Sequence, residues 1–127
     1  MMINHSFLIF LGAGLGGIFR YWISHGIALL WGREFPFGSL IVNVTGSFLM
    51  GFLFVIILER FNGIGPQLRA LLLIGLLGGY TTFSSFAIET LNLFENGAWL
   101  NALLNCFLSV ILSIGAAWLG VMGARQC

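Results

Sequence analysis

Only five arginines and four glutamates carry charge in these 127 residues, with no lysine and no aspartate. A water-facing surface needs more: soluble domains carry roughly 25% charged residues, whereas this chain has 7%, and 59% of it is hydrophobic. Most of its surface must meet something other than water, which excludes a soluble enzyme. The formal charge of +1 supplies no basic stripe for phosphates, so no nucleic-acid partner is expected.

The apolar residues gather in runs of bilayer length. A spanning helix needs about 20 mostly apolar residues, and four runs qualify, over about 6–30, 37–58, 67–94 and 98–123. Between them lie only short turns, such as Asn62-Gly63-Ile64-Gly65-Pro66. The expectation is a single all-α integral membrane domain, 1–127, of four antiparallel transmembrane helices, with lipid around it and both termini on one side. The first basic residue is Arg20. No positive n-region precedes the first run, which is read as a retained span and not as a signal peptide. Cys106 lies within an apolar run and Cys127 ends the chain. Neither these nor His5 and His25 has a metal-ligand spacing, and no disulfide is expected.

The third span is expected to be broken mid-membrane. Its centre reads Gly78-Gly79-Tyr80-Thr81-Thr82-Phe83-Ser84-Ser85-Phe86. Adjacent glycines followed by β-branched threonines disfavour continuous helix, placing a break near 78–82. Backbone freed at membrane depth is tolerated only where it is buried in protein, binds an ion or lines a wet cavity. The arginine bias is small: Arg60, Arg69 and Arg125 fall on the side of the termini and Arg33 on the other. The positive-inside rule thus favours cytoplasmic termini only weakly, and dual topology is permitted.

Polar residues within the spans form stripes. Ser39, Asn43 and Ser47 recur at i, i+4, i+8, as do Asn105, Ser109 and Ser113; this spacing puts each set on one helical face. Phe83 and Phe86 share a face, with Ser84 and Ser85 between them. Arg20 and Glu89 are charges inside spans, serving either function or anchoring at the interface. Small polar residues also glue membrane helices together, but three stripes beside a broken helix point to a polar pathway. Its donors are uncharged amides and hydroxyls with positive aromatic edges, which suit a small anion. A carboxylate ring of the cation-pore kind is missing. The run Gly12-Ala13-Gly14-Leu15-Gly16-Gly17 satisfies G-x-G-x-x-G, yet it lies inside an apolar span with no strand before it. Gly12 and Gly16 are read as a close-packing face, not a dinucleotide site.

At 78–86 and Glu89 the chain resembles the signature of the CrcB/Fluc fluoride channels. The resemblance extends to Gly38-Ser-Leu-Ile-Val-Asn43, Arg20, and Asn105, Ser109 and Ser113, so it covers nearly the whole chain. It implies an antiparallel dual-topology homodimer in a bacterial inner membrane, with two fluoride pores. Backbone carbonyls of Gly78 and Thr81 would bind a structural sodium ion at the dimer centre. Phe83 and Phe86 match the phenylalanine box and Asn43 the pore asparagine, while Ser39, Ser84, Ser85 and Ser113 match the polar track; Ser109 joins the fluoride pathway from the same face as Ser113. Tyr80 stands where many members have leucine, and Asn105 where some have tyrosine or serine. The implied physiology is passive fluoride export. Two alternatives remain: a small proton-coupled multidrug exporter, which needs a titratable carboxylate deep in a span, and a non-conducting assembly subunit.

Overall fold

The computed structural model describes residues 2–127, and among them every regular element is helical. α1 (Met2–Trp31) and α2 (Phe37–Arg60) are continuous. The third span begins as a helical turn, α3 (Gly65–Leu68), then runs through Arg69–Leu77 with the wider i→i+5 bonding of a π-helix. It continues in the short α4 (Gly78–Tyr80) and, after an interruption, in α5 (Phe83–Glu95). α6 (Trp99–Gln126) completes the chain. Four helical segments are long and apolar enough to cross a membrane: Ile3–Trp31, Phe37–Arg60, Gly65–Glu95 and Trp99–Gln126.

The helices outrun the apolar stretches from which the spans are read. α1 already includes Asn4 and His5, and α6 extends to Gln126, because the i→i−4 hydrogen-bond ladder does not stop where hydrocarbon does. Two turns close on left-handed glycines, Gly32 (φ 81°) after α1 and Gly97 (φ 80°) after α5. Only glycine adopts this conformation without cost.

Two helix pairs make most of the packing: α2 lies along α6, and α1 lies along the first half of the third span. Both use glycine to bring backbones together. A Cβ on Gly51 would overlap the Ala117 carbonyl oxygen, and one on Gly120 the Phe48 carbonyl oxygen. In the other pair, Gly12 lies against the Leu71 carbonyl and Gly16 against the Leu76 carbonyl. Lipid tails are as apolar as leucine, so close van der Waals contact of this kind holds membrane helices together. The buried cluster joining the pairs is Val42, Ile57, Leu73, Leu77 and Tyr80.

The interruption is shorter than the glycines lead one to expect. Gly78 and Gly79 are helical; the extended residues are Thr81 (φ −84°, ψ 154°) and Thr82 (φ −150°, ψ 120°). Gly79 is needed for space and not for flexibility, since a Cβ there would lie 2.5 Å from the Ala13 carbonyl oxygen. Thr82 instead starts the new helix, its hydroxyl accepting from the Ser85 N–H at 3.2 Å. A hydroxyl at this position satisfies one of the orphan donors of a helix N-terminus.

Candidate functional site

Breaking a helix frees backbone groups, and buried ones need partners. Here the partners come from other spans. Asn43 on α2 turns its amide onto Thr82: Oδ1 accepts the Thr82 N–H at 2.8 Å, and Nδ2 donates to the Thr82 carbonyl at 3.0 Å. From α1, Arg20 Nε donates to the Gly79 carbonyl at 3.1 Å. The Leu77 carbonyl receives both the Thr81 N–H at 3.0 Å and the Thr81 hydroxyl at 2.9 Å. Outside the regular bonding within the helices, no hydrogen bond among the described residues reaches the carbonyls of Gly78 or Thr81.

Two cavities open on either side of this joint, and Thr82 lines both. The larger, about 600 Å³, is a charged vestibule bounded by Arg20, His25, Arg33, Glu34, Ser39, Ser85 and Glu89. Glu89 lies next to Ser39, and its Oε1 is buried without a hydrogen-bond partner. The smaller, about 430 Å³, is a slot with mostly apolar walls, bounded by Asn43, Ser47, Phe83, Phe86, Ser109 and Ser113. Phe83 and Phe86 stand with ring centroids 5.4 Å apart and planes tilted by 46°. Phe83 is 78% exposed, so its ring forms the open lip of the slot.

The expected pathway residues therefore separate into two groups. Arg20, Ser39, Ser85 and Glu89 belong to the vestibule, whereas Asn43, Phe83, Phe86, Ser109 and Ser113 belong to the slot. Ser84 bounds neither; its hydroxyl lies 3.4 Å from Thr82 Oγ1. Thr82 donates to Ser85 Oγ at 3.2 Å, which leaves the Ser85 hydroxyl hydrogen for another acceptor. Ser109 is differently engaged. It donates to Asn105 Oδ1 at 3.2 Å, Asn105 Nδ2 donates to Thr90 Oγ1 at 2.9 Å, and Thr90 donates to the Phe86 carbonyl at 2.8 Å. This buried relay ties α6 to α5 and uses the one hydrogen that Ser109 has to offer.

Thr82 is the residue that the stripes do not reveal. Its signal is a hydroxyl residue at the start of a helix, placed shortly after a glycine pair. Ser47 is visible on the α2 stripe and lines the slot beside Asn43. Among the described residues, no group of three or more His, Cys, Asp or Glu side chains lies close enough to hold a metal. A cation at this joint would have to rely on main-chain oxygens.

Residues 7–121 match the family model described as CrcB-like protein, Camphor Resistance (CrcB). This chain belongs to the CrcB family. A curated relative from Coxiella burnetii (strain Dugway 5J108-111), named Fluoride-specific ion channel FluC, is 60% identical over 119 residues, spanning 94% of this chain and 96% of its own length. A protein of the same name from Shewanella woodyi (strain ATCC 51908 / MS32) is 45% identical over 118 residues, spanning 93% of this chain and 94% of its own. One from Methylococcus capsulatus (strain ATCC 33009 / NCIMB 11132 / Bath) is 50% identical over 120 residues, 94% of this chain and 52% of that relative.

Proposed function

We propose that this CrcB-family chain forms a fluoride-selective channel through which cytoplasmic fluoride leaves the cell passively, conferring fluoride resistance. The family is one of ion channels, not of enzymes. The observation that carries the reading is the joint itself: an interrupted span whose freed groups are held by Asn43 and Arg20 between a charged vestibule and an aromatic slot.

The chemistry of the two cavities suits fluoride. A strongly hydrated ion loses tens of kcal/mol of hydration in a low-dielectric medium unless donors replace its water. Arginines of the vestibule attract the hydrated anion. Ser39 and Ser85 then offer neutral hydroxyls, the second Nδ2 hydrogen of Asn43 continues the series, and Ser113 ends it within the slot. The rings of Phe83 and Phe86 present positive edges that attract an anion. None of these groups must change charge as the ion passes, so conduction needs neither ATP nor a proton gradient. Hydrogen fluoride enters cells as a neutral acid and ionises in the less acidic cytoplasm. The trapped anion would leave down its electrochemical gradient, helped by an inside-negative potential across a bacterial inner membrane.

The reading includes an antiparallel homodimer with two pores. The exposed Phe83 lip, and Gly78 exposed beside the joint, leave the slot half-built in one chain. A second copy related by a two-fold axis would complete it with the same surface. The carbonyls of Gly78 and Thr81, which take no hydrogen bond from a side chain or a loop among the described residues, fit a hard cation, which takes oxygen ligands. Four of them from two copies would hold a structural sodium ion, supplying fixed positive charge at the dimer centre. Replacing sodium with a large organic cation should then lower the thermal stability of the purified dimer; equal stability in both would remove the sodium ion from this account.

The deciding measurement is efflux from liposomes loaded with fluoride or chloride, with the membrane potential shunted. Fast fluoride loss without a pH gradient, and little chloride movement, is the expected result. Flux that depends on a pH gradient would favour a proton-coupled exporter, and vesicles that keep their fluoride would leave only an assembly role.

A further inference from the structure

Asn43 is not the only grip that α2 has on the joint. On the other side of Thr81 stands Tyr80, the last helical residue before the interruption and the midpoint of the third span, Gly65–Glu95. Tyr80 is buried, and at this depth lipid supplies no hydrogen bond. Its phenolic O–H still needs a partner, and it meets Thr45 Oγ1 at 2.9 Å. The direction of this bond follows from the hydrogens available. Thr45 has one, and it is given to its own helix, to the Ile41 carbonyl at 2.7 Å with the Val42 carbonyl at 3.2 Å. Tyr80 is therefore the donor and Thr45 a fixed acceptor. Between the two grips lies a notch: a Cβ on Gly46 would overlap Thr81 Cγ2 and come within 3.0 Å of the Tyr80 ring. From α1, a Cβ on Gly16 would lie 2.8 Å from the Tyr80 nitrogen. Tyr80, Thr81 and Thr82 are thus seated on α2 at Thr45, Gly46 and Asn43 respectively.

We propose that Tyr80 is a positioning residue for the ion path, its hydroxyl anchored on Thr45 so that Thr82 and the Asn43 amide keep their place between the two cavities. The inference rests on the fluoride-channel reading above and adds a residue to it. The bonds from Asn43 hold the extended side of the interruption, and the Tyr80 bond holds the helical side. With both sides held, the extended Thr81 between them cannot carry the joint along α2. Donors that replace an ion's water act over about 3 Å. A small shift of Thr82 therefore changes how well the second Asn43 hydrogen and the Ser85 hydroxyl, both tied to that residue, meet the anion.

The test separates unitary current from channel number, because a residue needed only for folding changes the second and not the first. Fluoride currents through the reconstituted full chain are recorded in planar bilayers. Tyr80→Phe keeps the ring beside Gly46 and removes only the hydroxyl; it should stay monodisperse and pass a unitary fluoride current about threefold lower. Thr45→Val removes the acceptor and should give the same reduction, whereas Thr45→Ser keeps it and should pass the wild-type current. The double variant Tyr80→Phe/Thr45→Val should be no worse than either single one, about threefold and not about ninefold lower, because the two hydroxyls act as one unit. An unchanged unitary current in Tyr80→Phe would overturn the proposal. So would losses that multiply in the double variant, or a Thr45→Ser current as low as that of Thr45→Val. Fewer channels at full unitary current would overturn it equally and assign the pair to folding alone. Absence of fluoride current from the wild-type protein would sink the channel reading, and this inference with it, so the two failures are distinguishable.

Discussion

The vestibule and the slot meet at the same threonine but use opposite chemistry. The vestibule has charges on its walls and gathers α1, the α1–α2 loop, the start of α2 and α5 around an open mouth. The slot lies against α2, α5 and α6, and its polar groups are an amide and hydroxyls set among phenylalanines. Charge acts at a distance, so the vestibule's residues can be displaced by an ångström with little consequence. Hydrogen bonds that replace water act over about 3 Å, so the slot depends on position. The joint between them, Asn43 on Thr82, belongs to both.

That contrast can be broken in several ways, the largest first. Gly79→Val places side-chain atoms where the Ala13 backbone lies and should abolish packing of α1 on the third span; loss of monodisperse protein in size-exclusion chromatography is the expected outcome, and normal yield would show that this contact does not position the joint. Asn43→Ala strips the Thr82 N–H and carbonyl of their partners. Each unsatisfied buried group costs about 1–3 kcal/mol, so both thermal stability and fluoride flux should fall. Flux lost without any drop in stability would show that Asn43 serves the ion and not the backbone.

Phe83→Ile separates the two roles more finely. The ring is mostly exposed in one chain, so subunit folding should be nearly unaffected while fluoride efflux slows tenfold or more, about 1.4 kcal/mol in barrier; an unchanged efflux rate would remove Phe83 from the slot's function. Ser109→Ala and Ser113→Ala form the subtlest pair. Ser109→Ala leaves Asn105 Oδ1 without its donor and should cost about 1 kcal/mol of stability with little change in flux. Ser113→Ala should do the reverse. If both slow efflux equally, the hydrogen-bond relay through Asn105 is part of the pathway.

Much of this was legible in the residues. Four apolar runs and the scarcity of charge identify a membrane protein, because burying each unpaired charge or backbone group in hydrocarbon costs several kcal/mol. Gly12 and Gly16 reveal a packing face by their spacing, and they do meet the third span closely. The residue pair 78–79 is harder. A glycine that permits a bend and one that permits close approach look the same in a sequence, and here Gly79 does the second. The hydroxyl stripes are ambiguous for a similar reason: Ser109 and Ser113 share a helical face, but only Ser109 finds Asn105, which in turn bonds Thr90. The Tyr80 hydroxyl also finds a partner, Thr45 Oγ1 at 2.9 Å, which no spacing along the chain relates to it.

The chain's own order of residues determined the solvent it lives in, the number of spans and the neighbourhood of the interruption, because hydrophobic length, helix propensity and capping act over a turn or two. Only the tertiary structure decided where the freed backbone groups go. Asn43 meets Thr82 across 39 positions and Arg20 meets Gly79 across 59, and no local preference of either residue encodes such a meeting. It follows from how α1 and α2 pack against the third span, where glycine-lined contacts set the distance and the unpaired amide and carbonyl groups select the partner.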